Sequence, residues 1–228
     1  MADPHAYPVF LDLDQRPVLI VGGGGVGLRK AQGLAPTGAQ LTVLSPTFAP
    51  EFAGLPHITR IPERYMAGIM QSQPRWALVF AATDIRPVND AFQRDAAAAG
   101  ILCCRCDEPE LGDFAGGAVC RQGGVTIAVS TQGASPVLAA RIRDAAAASL
   151  DPALVTWTEL LGPWRDQILA RVPDADVRRT LLRRIAGPEM EICLREERAA
   201  SGGSARAQAL FQSWLDEALR SGKDVHAS

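Results

Sequence analysis

The sequence predicts an α/β protein: a parallel sheet covered by helices on both faces, followed by a smaller all-helical region. Three observations predict this. Short β-type runs alternate with helical stretches from Val18 to Leu150, and one run opens directly into a glycine turn. Beyond Leu150 the β-branched runs stop, and Leu, Ala, Arg and Glu recur at helical spacing. A chain of 228 residues has room for one α/β domain and a smaller helical one.

In chain order the strand candidates are Val18–Val21, Leu41–Leu44, Ile58–Ile61, Ala77–Ala81, Ile101–Cys104 and Val125–Val129, five or six of them expected in one doubly wound sheet. Helical spacing marks Gly25–Ala35, Tyr65–Gln71 and Val88–Ala99 between them, with breakers such as Gly38 and Gly100 beyond their ends. The tail reads as helices over Val155–Val172, Val177–Ile185, Met190–Ala199 and Ala205–Leu219. Its breaks are Pro173, Gly187-Pro188 and the connector Ser201-Gly-Gly-Ser204, whose Ser204 is placed to cap the last helix.

The first strand runs into Gly22-Gly-Gly-Gly-Gly-Val-Gly27 and then a helix. The spacing Gly22-x-Gly24-x-x-Gly27, in strand-turn-helix context, is the dinucleotide fingerprint of a Rossmann-like fold. Glycine permits the tight turn, lets backbone approach a pyrophosphate, and aims helix N-terminal amides at negative charge. Gly22, Gly24 and Gly27 are therefore cofactor-binding candidates. The second strand ends Val43-Leu-Ser-Pro46, with no acidic residue to accept from a ribose 2′-hydroxyl, so the residues leave NAD and NADP both open.

Two later segments are candidates for chemistry. Asp107 follows the run Ile101–Cys106, just past a strand's C-terminal end, where open α/β sheets place their ligand crevices. In Ser130-Thr-Gln-Gly-Ala-Ser-Pro-Val-Leu138 a strand ends in a polar turn; Ser135 stands as N-cap and Pro136 as the first helical residue. Arg141 and Arg143 lie within the next two turns, where a polycarboxylate could dock. A capped structural helix with solvated arginines explains the same residues.

Composition excludes other classes. The net charge of −2, balanced along the chain, argues against nucleic acid as a partner. No apolar run approaches a membrane span and the first ten residues have no leader pattern, so a cytoplasmic protein without a membrane partner is expected. Five cysteines, crowded at Cys103, Cys104 and Cys106, read as reduced and buried; Cys103-x-x-Cys106 lacks the second pair of a four-thiolate site. His5, His57 and His226 form no ligand motif, and Trp157, Trp164 and Trp214 read as core or interface anchors.

Several motifs then occur in a recognisable order: Pro8-Val-Phe10, Val21-Gly-Gly-Gly24, Arg29-Lys-Ala31, Ala81-Ala-Thr-Asp84 with Val88-Asn89, Cys106-Asp107, and Ala128–Leu138. Together they resemble the precorrin-2 dehydrogenase/sirohydrochlorin ferrochelatase family, the N-terminal module of siroheme synthases. The resemblance covers the first 150 residues closely and the tail in character. It departs after Phe114, where Ala-Gly-Gly-Ala118 stands in place of the family's usual Pro and small residue.

The resemblance implies NAD-dependent oxidation of precorrin-2 to sirohydrochlorin, with Asp107 in acid-base chemistry and as the candidate metal residue if Fe²⁺ is also inserted. It implies dinucleotide contacts at Gly25, Val26, Pro46 and Thr47, with Thr83 and Asn89 on the nicotinamide side. Thr131 and Ser135 would line a tetrapyrrole cleft, with Arg141 and Arg143 as carboxylate anchors. A homodimer is expected, divided into a dinucleotide-binding domain (1–115), a strand-helix dimerisation and cleft segment (116–150) and a helical C-terminal domain (151–228). Because the chain stops near where a methyltransferase domain would begin in fused relatives, methylation is expected of another protein. A non-catalytic NAD-binding regulatory module, or a dehydrogenase for another small substrate, explains the glycine loop equally well.

Overall fold

A computed structural model of the chain describes residues 6–71, 75–200 and 203–224. His5, His226 and the Ser201-Gly202 half of the expected connector lie outside the described residues. The chain forms two compact units. The first is made of residues up to Gly117 together with Ser130–Ser135; the second is made of Ala118–Val129 and residues from Pro136 onward. Residues 116–150 thus contribute to both.

The first unit is a five-stranded parallel sheet: β1 (Pro17–Val21), β2 (Gln40–Leu44), β3 (Ile58–Ile61), β4 (Leu78–Ala81) and β5 (Cys103–Arg105), in the order β3-β2-β1-β4-β5. Val18 pairs with Leu41 on one side and Leu78 on the other, so the winding reverses at β1. A crevice opens at such a switch point, beyond the strand ends. Alternation along β1 feeds two cores. Val18 and Ile20 pack with Leu28 and Ala31 of α1 (Gly25–Leu34), while Leu19 and Val21 pack with Phe92 and Ala96 of α2 (Arg86–Ala98). Burial on both faces explains why the strands read as continuous apolar runs, each large side chain contributing about 1.5–3 kcal/mol.

The edge strand β5 is covered on its outer side by its own loop. The Cys103 amide donates to the Asp113 carboxylate and the Asp113 amide donates to the Cys103 carbonyl, both at 2.8 Å.

Two expectations are corrected here. Tyr65–Gln71 is not an α-helix but irregular chain ending in a short 3-10 turn, Ile69–Gln71. Gly68 sits at φ +102, outside the helical region, and the helix-spaced apolar residues are buried one at a time: the Tyr65 ring packs edge-on against Phe92 at 5.2 Å, and Met70 is buried. Val125–Val129 is indeed a strand, β7, but not of the parallel sheet. It forms an antiparallel hairpin with β6 (Ala118–Gln122) through Gly123-Gly124, in the second unit. Gly123 has φ +53, and a Cβ there would lie 2.6 Å from Glu159 Oε1 and 2.7 Å from Val155 Cγ1, so a larger residue would strain the turn and displace both side chains.

The rest of the second unit is helical: α3 (Pro136–Ala148), α4 (Pro152–Arg171), α5 (Ala175–Ile185), α6 (Pro188–Ala200) and α7 (Ala205–Asp224). Asp151 and Asp174 cap α4 and α5, accepting from the amides of Ala153 and of Asp176 and Val177. The early amides of α7, at Arg206 and Ala207, donate to the buried Glu197 carboxylate of α6 at 2.7 and 3.0 Å. The tryptophans are core anchors: Trp164 stacks on Phe211 at 4.8 Å, Trp157 donates to the Ile185 carbonyl, and Trp214 lies beneath Arg184. Among the described residues no helix is long and apolar enough to cross a membrane.

Candidate functional site

The glycines between β1 and α1 divide their work by position. Gly22 has φ +121, and a Cβ there would fall 2.2 Å from the Ala82 carbonyl; at Gly27 it would fall 1.9 Å from the Gly22 carbonyl. These two residues let the turn close and the helix pack on the strand. Gly23 lies as tightly against the Thr47 carbonyl, and its own carbonyl accepts from the Ala49 amide at 2.8 Å, tying the loop to the chain after β2. Beside Gly24 a Cβ would meet nothing within 4 Å. The surface there is bare backbone facing open space, and the first amides of α1 have no intrahelical acceptor. That combination is suited to a pyrophosphate.

The open space is a crevice of about 560 Å³ lined by Gly22–Val26, by Ser45, Pro46 and Thr47 after β2, by Ala82–Ile85 after β4, and by Cys106 and Asp107 after β5. Of the expected cofactor residues, Gly22, Gly24, Gly25, Val26, Pro46, Thr47 and Thr83 line it, as does Asp107. Gly27 is buried beneath the loop. Asn89 stands behind Thr83 at 1 % exposure: its Oδ1 accepts from the Thr83 hydroxyl at 2.7 Å, and its Nδ2 donates to the Thr83 carbonyl at 2.9 Å. Asn89 supports the wall rather than forming it.

The far wall is charged. Asp107 is held by Arg105, whose Nε donates to Oδ1 at 2.9 Å and Nη2 to Oδ2 at 2.8 Å, a bidentate pair. Arg105 holds the Asp107 carboxyl well below the usual carboxylate range; burial opposes this, and hydrogen bonds from Asn89 and from the backbone at Asp107 and Glu108 reinforce it. Asp107 is therefore a fixed anion at neutral pH. Sequence reasoning missed Arg105; the available signal was a lone charged residue inside an apolar strand run.

The cysteines differ from one another. Burial pushes the Cys103 thiol up to about 12. On the opposite face of β5, a hydrogen bond from Cys106 pulls the Cys104 thiol down to about 7, assisted by the Lys30 ammonium, and the same bond pushes Cys106 up. All five cysteines are free, and among the described residues no group of three or more His, Cys, Asp and Glu side chains could hold a metal.

The expected substrate residues fall in separate places. Thr131 and Ser135 are brought together in a tight turn of the first unit: the Thr131 hydroxyl accepts from the Ser135 amide at 3.1 Å and donates to its carbonyl at 3.0 Å. Gln132 and Gly133 have positive φ in that turn. Neither Thr131 nor Ser135 lines the crevice. Pro136 begins α3 as expected, placing Arg141 and Arg143 on a helix of the second unit. Arg141 is exposed, whereas Arg143 pairs with Asp144 at 2.6 Å.

Comparison with known proteins agrees with this geometry. Residues 9–118 match the NAD(P)-binding domain family, and residues 122–145 match the central segment of the sirohaem biosynthesis proteins. The siroheme synthase of Chromobacterium violaceum is 36% identical over 220 residues, covering 90% of this chain and 46% of the relative. That of Gluconacetobacter diazotrophicus is 35% identical over 208 residues, covering 87% and 43%. The chain thus spans about half the length of the curated relatives it matches. A solved structure of SirC, a precorrin-2 dehydrogenase, superposes with a TM-score of 0.69 over 93% of this chain and 100% of that one; at 23% identity the likeness is one of fold. The chain is thus similar to siroheme synthases over most of its own length and carries the NAD(P)-binding and sirohaem-biosynthesis central segments in that order.

Proposed function

We propose that the chain catalyses the NAD-dependent dehydrogenation of precorrin-2 to sirohydrochlorin. The observation that carries the reading is one crevice with a bare glycine cradle on one wall and the fixed Asp107 carboxylate on the other. The residues fit a dinucleotide: the cradle at Gly24 is open and a helix N-terminus faces it. NAD⁺, when bound, supplies the hydride acceptor. The amides of Gly23–Val26 would hold the pyrophosphate, Pro46 and Thr47 would contact the adenosine half, and Thr83, braced by Asn89, would border the nicotinamide half.

Asp107 stabilises the positive charge that grows on the tetrapyrrole as hydride leaves, because a preorganised anion costs no reorganisation at that moment. An aspartate held this far below its ordinary range is a weak base, so it orients a water that takes the proton. One hydride and one proton leave the substrate, balancing the two-electron oxidation. Thr131 and Ser135 of the first unit are the proposed substrate contacts.

Iron insertion, with Fe²⁺ as a second substrate and Asp107 as its ligand, is the reading this site favours less, since the metal must compete with a bidentate guanidinium for both carboxylate oxygens. We place the enzyme in the cytoplasm as a homodimer. Val137, Leu138 and Ile142 of α3 and Val119 of β6 are exposed apolar side chains that a second copy would cover; a monomeric mass by light scattering at micromolar concentration contradicts this. The decisive test is anaerobic incubation with precorrin-2 and NAD⁺ or NADP⁺, followed by Fe²⁺. The expected result is the sirohydrochlorin spectrum with NAD⁺. No change with either cofactor leaves a non-catalytic NAD-binding module, and a further change on adding Fe²⁺ establishes chelation.

A further inference from the structure

Arg105 is 1 % exposed and is a charged residue at the end of an otherwise apolar strand. Burying a guanidinium is unfavourable unless every donor is used, and an apolar side chain of similar size would pack there at lower cost. Its donors are used in two directions. Nη1 donates to Asp90 Oδ1 and Gln93 Oε1 of α2, each at 2.8 Å, which fixes the plane of the group from the helix side. Nε and Nη2 form the fork that grips both oxygens of Asp107. Glu108 lies 3.6 Å from Nη2 and is itself paired with Arg86 of α2 at 3.0 Å. A planar fork clamped at one end and gripping a carboxylate at the other is an alignment device that a lysine could not replace.

We propose that Arg105 is a positioning residue for the reaction: anchored on α2 by Asp90 and Gln93, it holds the Asp107 carboxylate in one orientation against the crevice. The inference rests on the dehydrogenase reading above. Arg105 touches neither cofactor nor substrate and acts only through Asp107.

A double-mutant cycle tests it in the full chain, with precorrin-2 turnover and NAD⁺ affinity measured separately for wild type, Arg105→Met, Asp107→Ala and the double variant. Misalignment of the reacting groups is expected to lower kcat of Arg105→Met by about ten- to hundredfold, with NAD⁺ affinity unchanged. The double variant should be no slower than Asp107→Ala alone. If the two losses multiply, or if NAD⁺ affinity falls together with kcat, Arg105 is merely structural and the proposal is overturned. Should Arg105→Met fail to fold, Asp90→Ala, which loosens the anchor at a more exposed side chain, decides: it should slow wild type severalfold and leave Asp107→Ala unaffected, and equal slowing in both backgrounds overturns the proposal. A wild-type chain without turnover overturns the dehydrogenase reading and this role with it, whereas an active wild type with multiplying losses overturns the role alone.

Discussion

The two walls of the crevice are built from opposite materials. The wall after β1 is backbone: Gly22, Gly23 and Gly27 pack so closely that a Cβ would fall within 2.3 Å of a carbonyl oxygen, and Gly24 leaves amides bare. The wall after β5 is side chain: Asp107 lines it, tied from behind to Arg105 and through it to Asp90 and Gln93 of α2 by four hydrogen bonds of 2.8–2.9 Å. Backbone amides recognise a phosphate whatever is attached to it, so the first wall selects a class of cofactor. An oriented carboxylate acts on one place in a substrate, so in the proposed reaction the second wall would define the chemistry.

If that division is right, damage to the two walls should separate. Asp107→Ala should lower kcat by about 10²- to 10³-fold, the usual loss of a preorganised charge, while NAD⁺ binding by calorimetry stays unchanged; a parallel loss of binding would break the comparison. Gly27→Ala should do the reverse, because its Cβ would overlap the Gly22 carbonyl at 1.9 Å. It should destabilise the protein by about 3 kcal/mol, lower Tm by about 6–12 °C and abolish NAD⁺ binding. Gly24→Ala sharpens the point: its Cβ meets only open space, so Tm should hold while NAD⁺ affinity falls about tenfold, or ~1.4 kcal/mol.

The smallest effect expected is an absence. The folded-state pKa of Asp107 lies below its unfolded value near 3.9. Its stabilising pair is therefore fully present above about pH 4 and is lost only as pH falls through the folded value. Between pH 5 and 8 the rate profile should show no acid limb belonging to Asp107; a limb in that window that disappears in Asp107→Asn would show a proton-carrying role instead.

The backbone wall was the more legible of the two in sequence. Glycine spacing after an apolar run states its own geometry, and the flanking strands are buried on both faces, which makes their apolar runs continuous. Asp107 could be placed at a strand end from residues alone, yet its chemistry came from resemblance, because nothing in Cys-Arg-Cys-Asp-Glu-Pro says that Arg105 turns inward to α2. That choice is made by residues 12 and 15 positions away, at Gln93 and Asp90. The hairpin strand Ala118–Gln122 escaped for a different reason: its alternation of half-buried and exposed positions includes Arg and Gln and so looks like loop. The apparent helix at Tyr65–Gln71 shows the converse, since helix-like spacing can be met by a loop that drops apolar side chains singly into a core.

The doubled hydrogen bond between Cys103 and Asp113 has a consequence for how the protein behaves at high concentration. A parallel sheet ending in a short strand would otherwise offer a row of unpaired amides and carbonyls to any extended chain that came near. Here the loop after β5 folds back and occupies that row at Cys103, and Gly112 presses against the Arg105 amide so closely that a Cβ would stand 2.8 Å away. The β5 margin of the sheet is thereby closed to strand-by-strand fibre growth by the loop that follows it.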